Sequence, residues 1–151
     1  MQSPALLAIR PFHAADETAV VSLWHACGLT RPWNDPHKDI ARKLSVQPEL
    51  FLVGEAEGAL VAAVMAGYDG HRGWVNYLAV APEHRRRGYA AALMREVERG
   101  LLRYGCPKIN LLVRGDNTAV VDFYTGLGFG RDDVISLGKR LIPDTPERQA
   151  G

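Results

Sequence analysis

Residue types able to do chemistry concentrate where the apolar run Tyr77-Leu78-Ala79-Val80 gives way to Arg85-Arg86-Arg87-Gly88-Tyr89-Ala90-Ala91. A strand, a turn and a helix start rich in Gly and Ala make a cradle for an anion. Gly88 lets the backbone approach a ligand closely, and the unpaired first-turn N–H groups, with the positive end of the helix dipole, favour a pyrophosphate there. Three consecutive arginines add fixed charge that a phosphate-rich cofactor would use. Taken alone, the stretch also fits a solvated basic turn that opens a helix. No Gly-Lys-Ser/Thr follows it, which counts against a P-loop nucleotide binder. A second constellation follows downstream: Asn117, then Phe123-Tyr124, then Gly128-Phe129.

These groups need a scaffold, and the hydrophobic pattern supplies one of alternating strands and helices. Residues 5–10 are expected as a first strand. Val20, Leu23, Trp24 and Cys27 recur at helical spacing and stop at Gly28, while Asp35 reads as the N-cap and Pro36 as the first residue of a short helix through Ile40 and Leu44. Residues 50–55, 59–68 and 73–80, separated by turns at Gly58 and Asp69-Gly70, form an antiparallel meander. Residues 90–104 make the longest helix, stopped by Gly105 and Pro107. A strand over 108–113, a helix over 117–127 and a last strand over 131–137 complete the pattern.

With 151 residues, the chain predicts one domain, over 1–142, followed by a flexible tail over 143–151. Eighteen Lys and Arg against seventeen Asp and Glu leave a net charge of +1, without the positive excess of a nucleic-acid binder. The longest apolar run, residues 59–67, is about half of the roughly 20 residues that cross a membrane. The opening Met1-Gln2-Ser3-Pro4 lacks the character of a secretion signal, so the expected location is the cytoplasm. Cys27 and Cys106 are too few for a disulfide framework and lie in no metal-ligand spacing, so no metal is expected and both thiols read as structural.

Taken together, the chain resembles the GNAT superfamily of acetyl-CoA-dependent N-acetyltransferases. The resemblance lies in the Ile9-Arg10-Pro11 opening strand, Leu78-Ala79-Val80, Arg85 through Ala90, and the series Asn117, Tyr124, Gly128-Phe129. The strings Arg31-Pro32-Trp33-Asn34-Asp35-Pro36, Tyr68-Asp69-Gly70-His71-Arg72-Gly73, Cys106-Pro107-Lys108-Ile109 and Ser136-Leu137-Gly138-Lys139-Arg140-Leu141 further resemble the small bacterial YpeA type within it. The implied fold is α/β (α+β), a mixed, mostly antiparallel central sheet with flanking helices and two central strands that splay apart. Acetyl-CoA as co-substrate would lie in that gap, with its pantetheine along Leu78, Ala79 and Val80. The Leu78 amide would stabilise the oxyanion. Arg85, Arg86, Arg87, Gly88, Tyr89, Ala90 and Ala91 would hold the pyrophosphate and Asn117 the pantetheine arm. Tyr124 would protonate the leaving thiolate, a role suited to a phenol with an ordinary pKa of ~10.

An amine acceptor must lose a proton before attack. The positions where relatives carry a glutamate hold Leu112, and Trp74, Val75 and Asn76, so Asp69 or His71 on the turn entering the third meander strand is the expected base, with Asp35 a further candidate. Each also fits an ordinary role: turn carboxylate, solvated imidazole, helix cap. Trp33, Asn34 and Asp35 are the expected acceptor-side residues. Residues 16–57 hold seven acids and four Lys or Arg, a surplus that suits a cationic amine. The expected activity is direct acetyl transfer to a primary amine of a small molecule, amino acid or peptide, by a monomer or homodimer. The alternative is a non-catalytic acyl-CoA-binding sensor.

Overall fold

The structure is a computed structural model and describes residues 6–144. Five strands form one sheet in the order β1 (Ala8–Pro11), β2 (Phe51–Ala56), β3 (Ala59–Tyr68), β4 (Gly73–Val80) and β5 (Ile109–Asn110). Neighbours pair antiparallel as far as β4, and β4 with β5 is parallel. This is the mixed, mostly antiparallel sheet that the resemblance implies.

Four helices flank it: α1 (Glu17–Ala26), α2 (Pro36–Leu44), α3 (Tyr89–Arg103) and α4 (Thr118–Gly126). Their ends follow the expected local chemistry. Asp35 caps α2, its Oδ1 accepting from the His37 and Lys38 amides at 2.9 and 3.4 Å. Asn117 caps α4 through Val120 N at 3.4 Å.

In β3, residues 61–66 are all buried, as a strand covered on both faces must be. Alternation on β4 tells the two sides apart. A side chain on Gly73 would meet Leu101 of α3 at 2.8 Å, while Trp74 and Asn76 line a hollow with Lys43 of α2. Odd-numbered residues at the start of β4 therefore face α3, and even-numbered ones face α2. Trp24, Phe51, Ile40, Leu93, Met94 and Leu101 are fully buried between these layers, and burying each contributes roughly 1.5–3 kcal/mol.

Two expectations give way. Residues 131–137 form no strand: Asp132 accepts from Lys108 Nζ at 3.0 Å and Asn110 Nδ2 at 2.8 Å instead of joining a ladder, and Val134, Ile135 and Leu137 are exposed. The strand expected over 108–113 shrinks to Ile109–Asn110, with Leu112 exposed. Ala5, where the first strand was expected to begin, lies outside the described residues, as do residues 145–151 of the expected tail. At the start of that tail, Asp144 is buried: its carboxylate accepts from the Asp35 amide and from Arg42, each at 2.7 Å.

Candidate active site

The last strand pair creates an opening. β4 and β5 share only Gly73↔Ile109 and Trp74↔Asn110, after which β4 runs on to Val80 with no partner on that side among the described residues. An extended ligand can pair with the strand edge left free there.

Opposite the opening, β4 is irregular. Ala63 faces Ala79 and Met65 faces Asn76, so Tyr77 and Leu78 together oppose Val64 alone, which is a β-bulge. Its first residue, Tyr77, has φ +55°, a conformation that costs a side-chain-bearing residue about 1–2 kcal/mol. Tertiary contacts hold it there. The Tyr77 ring stacks on Trp24 with centroids 3.9 Å apart, and its hydroxyl donates to Asp39 Oδ2 at 2.6 Å. Burial, then the Asp39 carboxylate, push this phenol up. Without the extra residue, Tyr77 would share the α3 face with Gly73 and Val75. The bulge turns it to the α1–α2 face and re-aims the backbone at Leu78.

Past β4 the chain makes a short 3-10 turn, Pro82–His84, and enters α3 through Arg86 at φ +65° and Gly88 at φ +79°. The first intrahelical bond runs from Ala92 N to Gly88 O at 3.0 Å, and no side chain caps the turn. The amides of Ala90 and Ala91 thus present N–H groups at the positive end of a fifteen-residue helix. Arg85, Arg86 and Arg87 are all exposed around it. Arg85 donates through Nε to Val80 O at 3.2 Å and Arg87 lies 3.5 Å from Glu57, so two of the three are steadied without being buried. The three arginines and the uncapped helix start thus lie next to the free edge of β4.

Tyr124 lies in the core on α4, with edge contacts to Phe123 and Phe129 at 5.1 and 5.3 Å between centroids. Its hydroxyl has no hydrogen-bond partner among the described residues, and burial pushes its pKa up to about 12. Such a phenol keeps its proton at neutral pH and is a weaker acid than an ordinary tyrosine. The Asn117 cap uses only the side-chain oxygen and leaves the amide group able to donate.

The two expected bases differ. Asp69 Oδ1 accepts from the His71 and Arg72 amides at 2.8 and 2.7 Å, and Oδ2 from Trp74 Nε1 at 3.1 Å. Those bonds, the backbone pair first, hold it at about 2, a weak base and a strong turn anchor. The His71 imidazole is exposed and has no ring partner among the described residues.

Of the residues expected on the acceptor side, Trp33 lines an open cavity of about 590 Å³ with Arg42 and residues 138–142. Asn34 accepts from Arg140, and Asp35 is occupied as the α2 cap. This wall carries Arg42, Lys139 and Arg140 but no acid, so the surplus of acids in residues 16–57 does not lie on it. Asp144 sits behind it, held at about 2 by Arg42 and then the Asp35 amide.

Sequence reasoning passed over Tyr77, Asp39, Arg42 and Asp144. A signal for part of this exists: Asp35, Asp39 and Arg42 recur at i, i+4 and i+7, one face of a helix. Neither thiol is poised for chemistry. Cys27 donates to Val80 O at 3.3 Å, and buried Cys106 to Lys108 O at 3.4 Å.

Comparison with known proteins agrees with this geometry. The Acetyltransferase (GNAT) family profile matches residues 18–129. An acetyltransferase of Yersinia enterocolitica is 54% identical over 136 residues, spanning 90% of this chain and 96% of that one. Among solved structures, Ard1 from Thermoplasma volcanium superposes with a TM-score of 0.72 at 26% identity, covering 82% of each chain. AAC(6')-Iy, solved in complex with the bisubstrate analogue CoA-S-monomethyl-acetylneamine, gives 0.74 at 20% identity, covering 90% of this chain and 99% of that one. The splayed strands, the uncapped helix start and these relatives lead to one conclusion: the chain belongs to the GNAT family and is an acetyl-CoA-dependent acetyltransferase.

Proposed function

We propose that the protein moves the acetyl group of acetyl-CoA to a primary amine, borne by a small molecule, an amino acid or a peptide, by direct transfer with both substrates bound. The observation that carries this reading is the parting of β4 from β5 beside the uncapped start of α3. The free β4 edge fits an extended amide-bearing arm, and the Ala90 and Ala91 amides with Arg85, Arg86 and Arg87 fit a pyrophosphate. Tyr89 starts that helix from a buried position and Gly88 keeps its approach open.

In this reading Asn117 donates to the pantetheine arm and the Leu78 amide donates to the thioester oxygen as it gains charge. His71 takes the proton from the amine, and Asp69 shapes the turn that carries His71. As the C–N bond forms and the C–S bond breaks, Tyr124 gives its proton to the leaving sulfur. Trp33 and the 138–142 segment wall the acceptor side, with Asn34 and Asp35 holding that wall in place. Engagement of both cysteines with backbone carbonyls favours direct transfer over a thioester on the protein.

The test is Tyr124→Phe. Loss of turnover by roughly 100-fold with acetyl-CoA affinity retained is expected, because the general acid goes and the binding groups stay. Unchanged turnover would remove Tyr124 from the reaction.

A further inference from the structure

The bulge in β4 is built from outside the strand. Tyr77 is a β-favouring residue held at φ +55° in the middle of a sheet. Neither glycine nor a local turn hydrogen bond explains the conformation; α1 and α2 supply what holds it. Trp24, fully buried, lies flat against the Tyr77 ring at 3.9 Å and closes a column of rings that continues through Phe51 at 6.3 Å to Phe12 at 4.4 Å. Asp39 takes the hydroxyl at 2.6 Å and is itself fixed by Arg42 at 3.4 Å, which Asp144 grips at 2.7 Å. A chain of contacts thus runs from the 140–144 segment, across α2, to the residue before Leu78.

We propose that Tyr77 and Asp39 are positioning residues for acyl transfer, their hydrogen bond and the Trp24 stack locking the β4 bulge so that the Leu78 amide points at the acyl oxygen. This rests on the reading in which Leu78 supplies that amide. Without the lock, β4 relaxes toward regular pairing with β3 and the amide turns away from the opening, while the phosphate cradle, built by the helix start, is untouched.

The experiment follows assigned backbone amide signals in the ¹⁵N-labelled full chain on addition of acetyl-CoA or of CoA. CoA carries the same phosphates and pantetheine arm but no acyl carbonyl, so the difference between the two shifts isolates the acyl contact. In the wild type, Leu78 shifts further with acetyl-CoA than with CoA, an acyl-specific increment, and Ala90 and Ala91 shift equally with both. Tyr77→Phe keeps the ring and removes only the hydroxyl. Its acyl-specific Leu78 shift is lost while the Ala90 and Ala91 shifts remain, and kcat falls about tenfold, or ~1.4 kcal/mol, at unchanged KM for acetyl-CoA. Asp39→Ala behaves the same way, and Asp39→Asn, which keeps an oxygen for the hydroxyl, restores the Leu78 shift. The double variant Tyr77→Phe/Asp39→Ala is no worse than either single one.

Should Tyr77→Phe fail to fold, Asp39→Ala carries the test, because it leaves the ring stack intact. An acyl-specific Leu78 shift that survives in both single variants, or a fall in Tm with that shift unchanged, overturns the positioning role. Absence of the shift in the wild type overturns the assignment of Leu78 itself, and the positioning role with it.

Discussion

Replacing Gly88 by alanine separates what the α3 start does for the fold from what it does for the ligand. Gly88 has φ +79°, and a Cβ built there would meet nothing within 4 Å. The substitution thus introduces backbone strain alone, about 1–2 kcal/mol, without a clash. For a chain of this size that lowers Tm by about 2–8 °C. Gly105 provides a matched control, with the same φ of +79° and the same empty surroundings, beyond the far end of α3, a fifteen-residue helix about 22 Å long at 1.5 Å per residue.

Both variants should lose the same stability. Only Gly88→Ala should lose affinity for acetyl-CoA, because its methyl group enters the open space at the helix start that the proposed pyrophosphate site uses. Hindering one charge-assisted hydrogen bond, worth about 1.5–3 kcal/mol, weakens binding by roughly tenfold or more. Differential scanning calorimetry gives the stabilities and isothermal titration the affinities. Equal acetyl-CoA affinity in Gly88→Ala and Gly105→Ala, with equal losses of Tm, would return the cradle to an ordinary helix start.

Other consequences concern protons and the C-terminal segment. With its pKa depressed from 3.8 to about 2, Asp69 stabilises the fold fully above the higher value, and this contribution disappears as pH falls through the lower one. Asp69→Asn should therefore flatten the stability–pH curve between about 4 and 2, measured by urea unfolding, and an unchanged curve would contradict the bonding described for this turn. Tyr124, raised to about 12, acts in its protonated form in the proposed mechanism, so its titration should not depress turnover until pH approaches that value; a loss of rate near 10 that vanishes in Tyr124→Phe would show an unshifted phenol. Asp144→Ala removes the carboxylate that Arg42 and the Asp35 amide share, and should speed tryptic cleavage at Lys139 and Arg140 under native conditions. Equal cleavage in both proteins would show that the segment is held by something else.

The parts of the fold that could be foreseen are those whose signals are local. The β2–β3–β4 meander is punctuated by Glu57-Gly58 and Asp69-Gly70, the α2 start by Asp35-Pro36, and the cradle by Arg-Arg-Gly before an amphipathic run. The strand expected over 131–137 had a suitable apolar pattern, yet a strand needs a neighbour, and Asp132 instead binds Lys108 and Asn110. The bulge at Tyr77 was hidden for a similar reason. Glycine or asparagine usually marks a left-handed residue, whereas here a tyrosine is held in it by Trp24 and Asp39, distant in sequence. Asp69 was legible as a turn residue, and only its three hydrogen bonds reveal how poor a base it is.

The central claim, transfer of acetyl from acetyl-CoA to an amine at the β4–β5 opening, is tested most directly by thiol release from acetyl-CoA with a panel of primary amines, amino acids and peptides, the wild type beside Tyr124→Phe. The account predicts release that depends on an amine, yields an N-acetylated product and falls roughly 100-fold in the variant. Release equally fast in both proteins, or an acetylated product with no amide bond, would contradict it.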